Sequence, residues 1–352
     1  MIHTIVLLAA LLNAPPAFNP PTDTALLTAI GIMDQKYPKK GALITKERAQ
    51  LASPIFDHEL AAMQVVPCPN PSDFILSATQ IPSYFLNPLR SGPSQASYSP
   101  NFYSYDPCSP NFKQFWVDFA NRTLGGGCFT EGFVQEEIMV CEIPSFAAAI
   151  AANQDPKRPG WCALVTRAGG SNSSRVLLGN PTPWLFEGIT RTLNVVNCYG
   201  SQFDTFPLQQ ILMDALPVNQ PNLNILAMSA PRLQSKTLPE QTNINTIRDL
   251  FNTAYAGFIL AMQSAAQDKK QCLINTGPIG AGLFNNNKIV VYLAQRLAAH
   301  QLDIAINFYA YDNTAVQLGE KIFGELIQTT SAGSPLSTAL ANLQVLASKE
   351  IH

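Results

Sequence analysis

Apolar residues recur along this chain in two rhythms, and the change from one to the other marks out its elements. Phe112 to Phe119, aromatic and β-branched, predicts a strand, and Val134 to Val140 predicts the opening of a buried helix. Ser145 to Ile150 continues as helix, Trp161 to Val165 reads as a short buried strand, and Ala168 to Ser174 is loop by composition. Leu223 to Met228, Gln271 to Ile274 and Leu302 to Tyr309 are apolar strands. Lys288 to His300 is an amphipathic helix, and the stretches Gly319 to Ile327 and Pro335 to Ile351 are packing helices. Strands alternating with helices in this way predict an α/β sandwich with helices on both faces of a mixed sheet.

Upstream the pattern is helical from Thr22 to about Leu89. Thr24 to Ile30 has helical apolar spacing, and Thr45 is placed to cap a helix through Phe56. Prolines at 67, 69, 71, 82 and 88 cut these helices short. Pro93 to Pro110, rich in Ser, Pro and Tyr, reads as a long loop. Residues 1–109 are therefore an N-terminal segment and helical accessory region, and residues 110–352 one domain. Ile5 to Leu12 has the length of a signal h-region, yet no Lys or Arg precedes it, and about 20 apolar residues are needed to span a bilayer. A packed helix, a signal and a targeting segment all fit it. Transmembrane anchoring is not expected, and secretion stays open.

Composition narrows the classes. With 352 residues, 47% of them hydrophobic, the chain can bury one substantial domain and an accessory layer. A net charge of −2 without a basic run leaves no footprint for nucleic acid. Seven cysteines without CxxC spacing suggest free thiols in a reducing compartment such as the cytoplasm, or before export from one. The four histidines, at 3, 58, 300 and 352, are not spaced as metal ligands, and no cofactor is expected.

One stretch reads as chemistry rather than packing. Gly125, Gly126 and Gly127 lie between the predicted strand and the predicted helix, with Asn121 four residues ahead of the first and Gln135-Glu136-Glu137 behind. Glycines let an anion approach a backbone without a Cβ in the way, and the first turn of a helix offers unpaired N–H groups and the positive end of its dipole. Taken alone, the triple glycine fits a surface turn equally well, and the two acids fit a solvated helix start.

The segment from Val117 to Gly127, Val-Asp-Phe-Ala-Asn-Arg-Thr-Leu-Gly-Gly-Gly, followed after seven residues by Gln135-Glu136-Glu137-Ile138, resembles the signature of the poly(ADP-ribose) glycohydrolase (PARG) family of macrodomains. A second block, Ala254 to Phe258 and then Thr276 to Phe284, is similar to the family's second phosphate-contacting loop and the helix before it. The resemblance runs patchily from about residue 110 to the C-terminus and is poor over 145–220. It implies a macrodomain-type three-layer α/β/α sandwich preceded by a helical accessory layer, with both glycine loops at one cleft holding the diphosphate of ADP-ribose. In the roles it implies, Glu137 protonates the leaving group and later activates water, and Glu136 accepts hydrogen bonds from ribose hydroxyls. Neighbouring helical residues point about 100° apart, so the two acids cannot flank one bond as in an ordinary glycosidase.

Asn121 is then expected to hold the reactive ribose, Gln135 to help position the acids, and Asp118 to support the loop, by direct substrate contact or as a strand-end cap. Gly125, Gly126, Gly127, Thr276, Gly277, Gly280 and Gly282 line the ligand. Phe284 packs on the ribose, on its own loop or in the core. Tyr309 or Tyr311 falls where the family has an aromatic against the ligand. Asp106 is a turn residue before Pro107, with adenine recognition as the alternative.

Two departures stand out. The family's Asn after Thr-Gly is Pro278 here, and Ala168 to Trp184, where a tyrosine-bearing adenine clasp is expected, has no tyrosine. These favour hydrolysis of protein-linked mono-ADP-ribose, with arginine as the linkage, as in some PARG-like bacterial effectors acting inside a host cell. Polymer trimming, a non-catalytic ADP-ribose reader and an unrelated nucleotide-binding α/β domain are the alternatives. The partners implied are an ADP-ribosylated protein or poly(ADP-ribose), met by a monomer.

Overall fold

A computed structural model describes residue 39 and residues 64–67, 89–90, 95–100, 102–125, 133–153, 165–168, 180–195, 199–310 and 313–351. In chain order its elements are β1 (Gln64–Pro67), β2 (Ala96–Ser99), β3 (Phe112–Phe119), α1 (Gln135–Glu142), α2 (Pro144–Asn153), β4 (Arg167–Ala168), β5 (Asn180–Pro181) and β6 (Trp184–Val195). There follow α3 (Gln202–Thr205), α4 (Leu208–Asp214), β7 (Ala215–Met228), α5 (Leu238–Gln241), α6 (Ile244–Gln267), β8 (Gln271–Thr276), α7 (Lys288–Leu302), β9 (Ala305–Tyr309), α8 (Thr314–Thr329) and α9 (Leu336–Glu350). The chain divides into two compact units. The first draws on Met1–Asn70, Ala120–Val165 and Trp184–Ile225, and the second on Pro71–Phe119, Thr166–Pro183 and Leu226–His352.

In the first unit the strands run in the order β1-β6-β7, with β1 antiparallel to β6. Helices α1 and α2 pack on β6, and Phe146 of α2 meets Phe186 of β6 edge to face at 5.1 Å. A buried ion pair fixes the end of α1. Glu142 accepts from Arg191 Nε at 2.8 Å and Nη2 at 2.9 Å, and from the Val195 N–H at 2.7 Å. Three donors on one buried carboxylate offset much of the cost of taking both charges out of water.

The second unit carries the order β3-β8-β9-β2, and its β2–β9, β3–β8 and β8–β9 pairs are all parallel. With the antiparallel β1–β6 pair, the pairing is mixed, as the macrodomain-type α/β reading requires. Helix α6 is capped by Asn243, whose side chain accepts from the Asn245 N–H at 2.8 Å. Its Gly257 lies where a Cβ would fall 2.2 Å from Met228 Sδ, so a glycine is needed for this helix to press on the strand. Arg167, fully buried, pairs with Asp249 and donates to the Ser229 carbonyl at 2.8 Å and Thr253 Oγ1 at 2.9 Å.

The strands Phe112–Phe119, Gln271–Thr276 and Ala305–Tyr309 and the helices Gln135–Glu142, Lys288–Leu302, Thr314–Thr329 and Leu336–Glu350 fall where the pattern predicts them, and the strand expected from Leu223 begins earlier, at Ala215. Four expectations change. Within the stretch read as helical, β1 is a strand, because Gln-Val-Val-Pro is β-branched and ends on a proline tolerated at a sheet edge. Within the stretch read as loop, Ala96–Ser99 adds to β9 as an edge strand. Arg167–Ala168, at the start of the next predicted loop, pairs with Asn180–Pro181. Helix α7, expected to be amphipathic, is buried from Val290 to His300 because α6 and α8 both pack on it. The expectations for most of residues 1–88, for 161–164 and for 169–174 lie outside the described residues.

Candidate functional site

The predicted strand and helix are present, and Asn121 and Gly125, which follow the strand, are held by Glu136. Gly125 has φ +74°, a region that L side chains rarely adopt, and an added Cβ would stand 2.2 Å from Ile150 Cγ2 of α2. This conformation aims the Gly125 N–H at Glu136 Oε1, at 2.6 Å. Asn121 closes the other side. Its backbone N–H and its Nδ2 donate to Glu136 Oε2 at 3.1 and 3.0 Å. Glu136 is 1% exposed and takes three N–H bonds on one carboxylate. Burial lifts its carboxyl from the ordinary 4.5 to about 7; the donors of Gly125 and Asn121 pull the other way, and the neighbouring charge of Glu137 adds to the rise.

Glu137 points elsewhere, as helical spacing requires. Its Oε2 accepts from the Val134 N–H at 2.8 Å, across the helix N-terminus, and the residue is 4% exposed. The solvated helix start is thereby replaced by a buried pair of acids, one turned into the glycine turn and the other onto its own helix cap. Gln135 is also buried, and its Nε2 lies 3.1 Å from Met139 Sδ, one turn along α1. Gly126 and Gly127 lie outside the described residues.

Sequence reasoning missed Tyr199 in this unit. The Gly200 N–H donates to the Phe133 carbonyl at 2.6 Å, and Phe133, two residues before α1, stacks on Phe203 at 4.1 Å. These contacts bring the partly exposed Tyr199 phenol near Glu137. Burial first, and then the charge of Glu137, raise its pKa above the ordinary value. A single tyrosine within the poorly matched stretch 145–220 gave no signal that could have found it.

In the second unit β8 leads into the second glycine loop. Thr276 is fully buried, and its hydroxyl donates to Gln295 Oε1 at 2.5 Å, while Gln295 Nε2 returns to the Gly277 carbonyl at 2.9 Å. Gln295, on α7, thus clamps the strand end; it too escaped the sequence reading. A Cβ on Gly277 would meet the Tyr309 carbonyl at 2.7 Å and Phe119 Cζ at 2.8 Å. Gly280 has φ +71°, and a Cβ there would lie 2.6 Å from Ala230 Cβ. Gly282 has open space around it. Phe284 is half-buried, with the Arg232 guanidinium carried over its ring at 6.0 Å.

Tyr309 sits in an aromatic cluster, 5.0 Å from Tyr103 and 5.7 Å from Trp116 between ring centroids. Tyr311 is outside the described residues. Asp118, on β3, is fully buried; burial above all, and then the nearby Tyr105, Tyr309 and Asp118 charges, raise the pKa of the Tyr103 phenol. Asp106 is exposed, and its carbonyl accepts from Gln114 Nε2 at 3.1 Å, as suits a turn residue. Among the described residues no group of three His, Cys, Asp or Glu could hold a metal ion, and no helix is long and apolar enough to cross a membrane.

The described residues thus combine a mixed α/β fold with a glycine turn over buried acids and a second glycine loop after a parallel strand. Residues 187–318 match the family model described as poly(ADP-ribose) glycohydrolase (PARG), macro domain fold, and the chain is PARG-like over that span, which includes the second glycine loop. Poly(ADP-ribose) glycohydrolase 1 of Caenorhabditis elegans is 26% identical over 196 residues, 55% of this chain and 23% of that protein. The chain therefore spans about a quarter of that relative's length. Among solved structures, poly(ADP-ribose) glycohydrolase from Thermomonospora curvata, bound to the inhibitor ADP-HPD, is 12% identical with a TM-score of 0.45, covering 87% of this chain and 98% of that one. The enzyme from Deinococcus radiodurans in complex with ADP-ribose is 15% identical with a TM-score of 0.43, covering 84% and 100%.

Proposed function

We propose that this chain hydrolyses the glycosidic bond at the anomeric carbon of an attached ADP-ribosyl unit, releasing ADP-ribose. The observation that carries the reading is the buried Glu136–Glu137 pair, with Glu136 held by Asn121 and Gly125 and Glu137 turned away onto the helix N-terminus. Two adjacent acids in different surroundings can do different work. Glu137 gives its proton to the departing atom as the anomeric bond breaks, then takes a proton from the water whose oxygen replaces it. Glu136 receives the ribose hydroxyls, and Asn121 keeps it oriented. No metal or cofactor is required by this sequence of steps.

Poly(ADP-ribose) is the substrate that the names of the similar proteins support. A second reading, release of mono-ADP-ribose from protein arginine, is favoured by Pro278 in place of the family's Asn and by the lack of tyrosine in 168–184. An arginine leaving group would shift the demand on Glu137 from protonation to activation of water. The reading as a bacterial effector working inside a host cell belongs to this second branch, and a monomer is expected in either. Incubation with poly-ADP-ribosylated protein and with mono-ADP-ribosylated Arg, Ser and Glu substrates, followed by detection of free ADP-ribose, tests both. Release from polymer alone selects the first, release from arginine the second, and ADP-ribose binding without release from any substrate would return the chain to the reader alternative.

A further inference from the structure

The second glycine loop carries a cation that the resemblance does not account for. Arg232 lies on the segment after β7, and this segment is bound to the loop at three points. The Leu233 N–H donates to the Phe284 carbonyl at 2.9 Å, Asn285 Nδ2 donates to the Leu233 carbonyl at 3.0 Å, and Asn286 Nδ2 donates to the Pro231 carbonyl at 2.7 Å. Pro231 and Leu233 are buried while Arg232 between them is exposed, so the backbone is fixed and the side chain is held out of it. Its guanidinium stands 6.0 Å from the centre of the Phe284 ring. That distance is within reach of a cation–π contact, which narrows the side chain's rotamers without neutralising its charge.

No carboxylate among the described residues pairs with Arg232. The acid nearest along the chain on its C-terminal side, Glu240, is occupied by its own turn. It accepts from the N–H groups of Gln234 and Ser235 at 2.9 and 3.0 Å and from the Ser235 hydroxyl. Beside the cation the loop is open, because Gly282 has nothing within 4 Å of a built Cβ and Leu283 is 72% exposed. A planar, permanently charged fork, pre-positioned by a ring beside an unobstructed backbone, suits a phosphate, whose oxygens it can take two at a time.

We propose that Arg232, carried over Phe284 at the rim of the second glycine loop, binds a phosphate oxygen of the substrate's diphosphate and so sets affinity for it. The proposal rests on the ADP-ribosyl reading for the identity of the ligand. The geometry itself calls only for a phosphate group.

Calorimetry on the full chain with ADP-ribose, inorganic pyrophosphate and adenosine, for the wild type, Arg232→Gln and Arg232→Lys, tests it. Removing a charge-assisted pair should weaken ADP-ribose and pyrophosphate roughly 10- to 100-fold at low salt and leave adenosine unchanged. Arg232→Lys, which keeps the charge and loses the fork, should fall between. The unfolding midpoint should not move, since the side chain is exposed. Equal affinity of wild type and Arg232→Gln for both diphosphates overturns the proposal and leaves the ADP-ribosyl reading intact. An equal loss for adenosine also overturns it, by making the effect one of loop structure. A wild type that binds pyrophosphate through Arg232 but not ADP-ribose removes the ADP-ribosyl reading and keeps the diphosphate site. A wild type that binds neither overturns both.

Discussion

The two glycine loops use the same residue type for opposite ends. In the turn before α1, Gly125 is held at positive φ against Ile150, and its N–H is spent on Glu136. That glycine shapes an acid. In the loop after β8, Gly277 and Gly280 are needed for packing against Tyr309, Phe119 and Ala230, while Gly282 stands in open space. Those glycines shape a surface, and its charge comes from Arg232 rather than from a helix terminus. A glycine-rich motif read as one phosphate-binding device therefore separates into a part that orients a carboxylate and a part that leaves backbone accessible. Five substitutions probe the difference.

Glu137→Gln keeps the size of the side chain and removes the proton it would give and take. Hydrolysis should fall by about 10²–10⁴, the usual contribution of one general acid–base group, with ADP-ribose affinity nearly unchanged. Turnover at the wild-type rate would take Glu137 out of the mechanism and leave the acid turn as a structural cap.

Gly125→Ala and Gly282→Ala form a matched pair across the two loops. At Gly125 the new Cβ meets Ile150 Cγ2 in a left-handed backbone. Strain and overpacking together should cost roughly 2–5 kcal/mol in urea unfolding. At Gly282 the methyl enters open space, and the change should stay within about 0.5 kcal/mol. Equal losses at both sites would mean that the two loops are not specialised as the contacts indicate.

How far the sequence reached follows the same division. The strand at 112–119, the helix at 135–142 and the elements from 271 onward were legible because their apolar periods are clean, and α7 also carries the side-chain cap of Asn287. Strand β6 was not, because Glu187, Gly188 and Arg191 interrupt the alternation. Gly188 at φ +71° and the pairing of Arg191 with Glu142 make sense of them only after folding. The first half of β7 carries Pro217 and Pro221 with Asn222 at φ +61°, a composition that reads as loop. At the site, the acids and Asn121 were singled out through the family resemblance of the segments around Gly125–Gly127 and Gln135–Glu137. Gln295, Tyr199 and Arg232 were not, because each acts through a contact between distant parts of the chain that no local pattern records.

Glu136 gives a pH test of the acid-shaping turn. Its folded-state carboxyl titrates at about 7 against an ordinary 4.5. The fold therefore favours the protonated form, and the associated stability is fully present below 4.5 and lost as pH rises through about 7. A displacement of this size corresponds to roughly 3 kcal/mol at most. Glu136→Gln does not titrate, so the stability of the variant relative to wild type should rise between pH 5 and pH 8 by up to that amount. A constant difference across that range in urea unfolding would show that burial does not hold the proton there.

Asn121→Ala separates the donors around Glu136. The substitution removes the Nδ2 bond to Oε2 at 3.0 Å and leaves the backbone N–H of residue 121 and that of Gly125 in place. One charge-assisted hydrogen bond of about 1.5–3 kcal/mol is lost from the ionised form of Glu136 only. The sign follows from what the bond stabilises. The Asn121 amide lowers the carboxyl's pKa, so its removal should raise the titration above about 7 and make the protonated form dominant at neutral pH. Stability at pH 5, where wild type already carries the proton, should then change by less than at pH 8. If Glu136 works as the carboxylate that receives the ribose hydroxyls, the variant's activity should recover with rising pH more than that of wild type. An activity loss of the same size at every pH would assign Asn121 to direct contact with the ribose instead of to the charge state of Glu136.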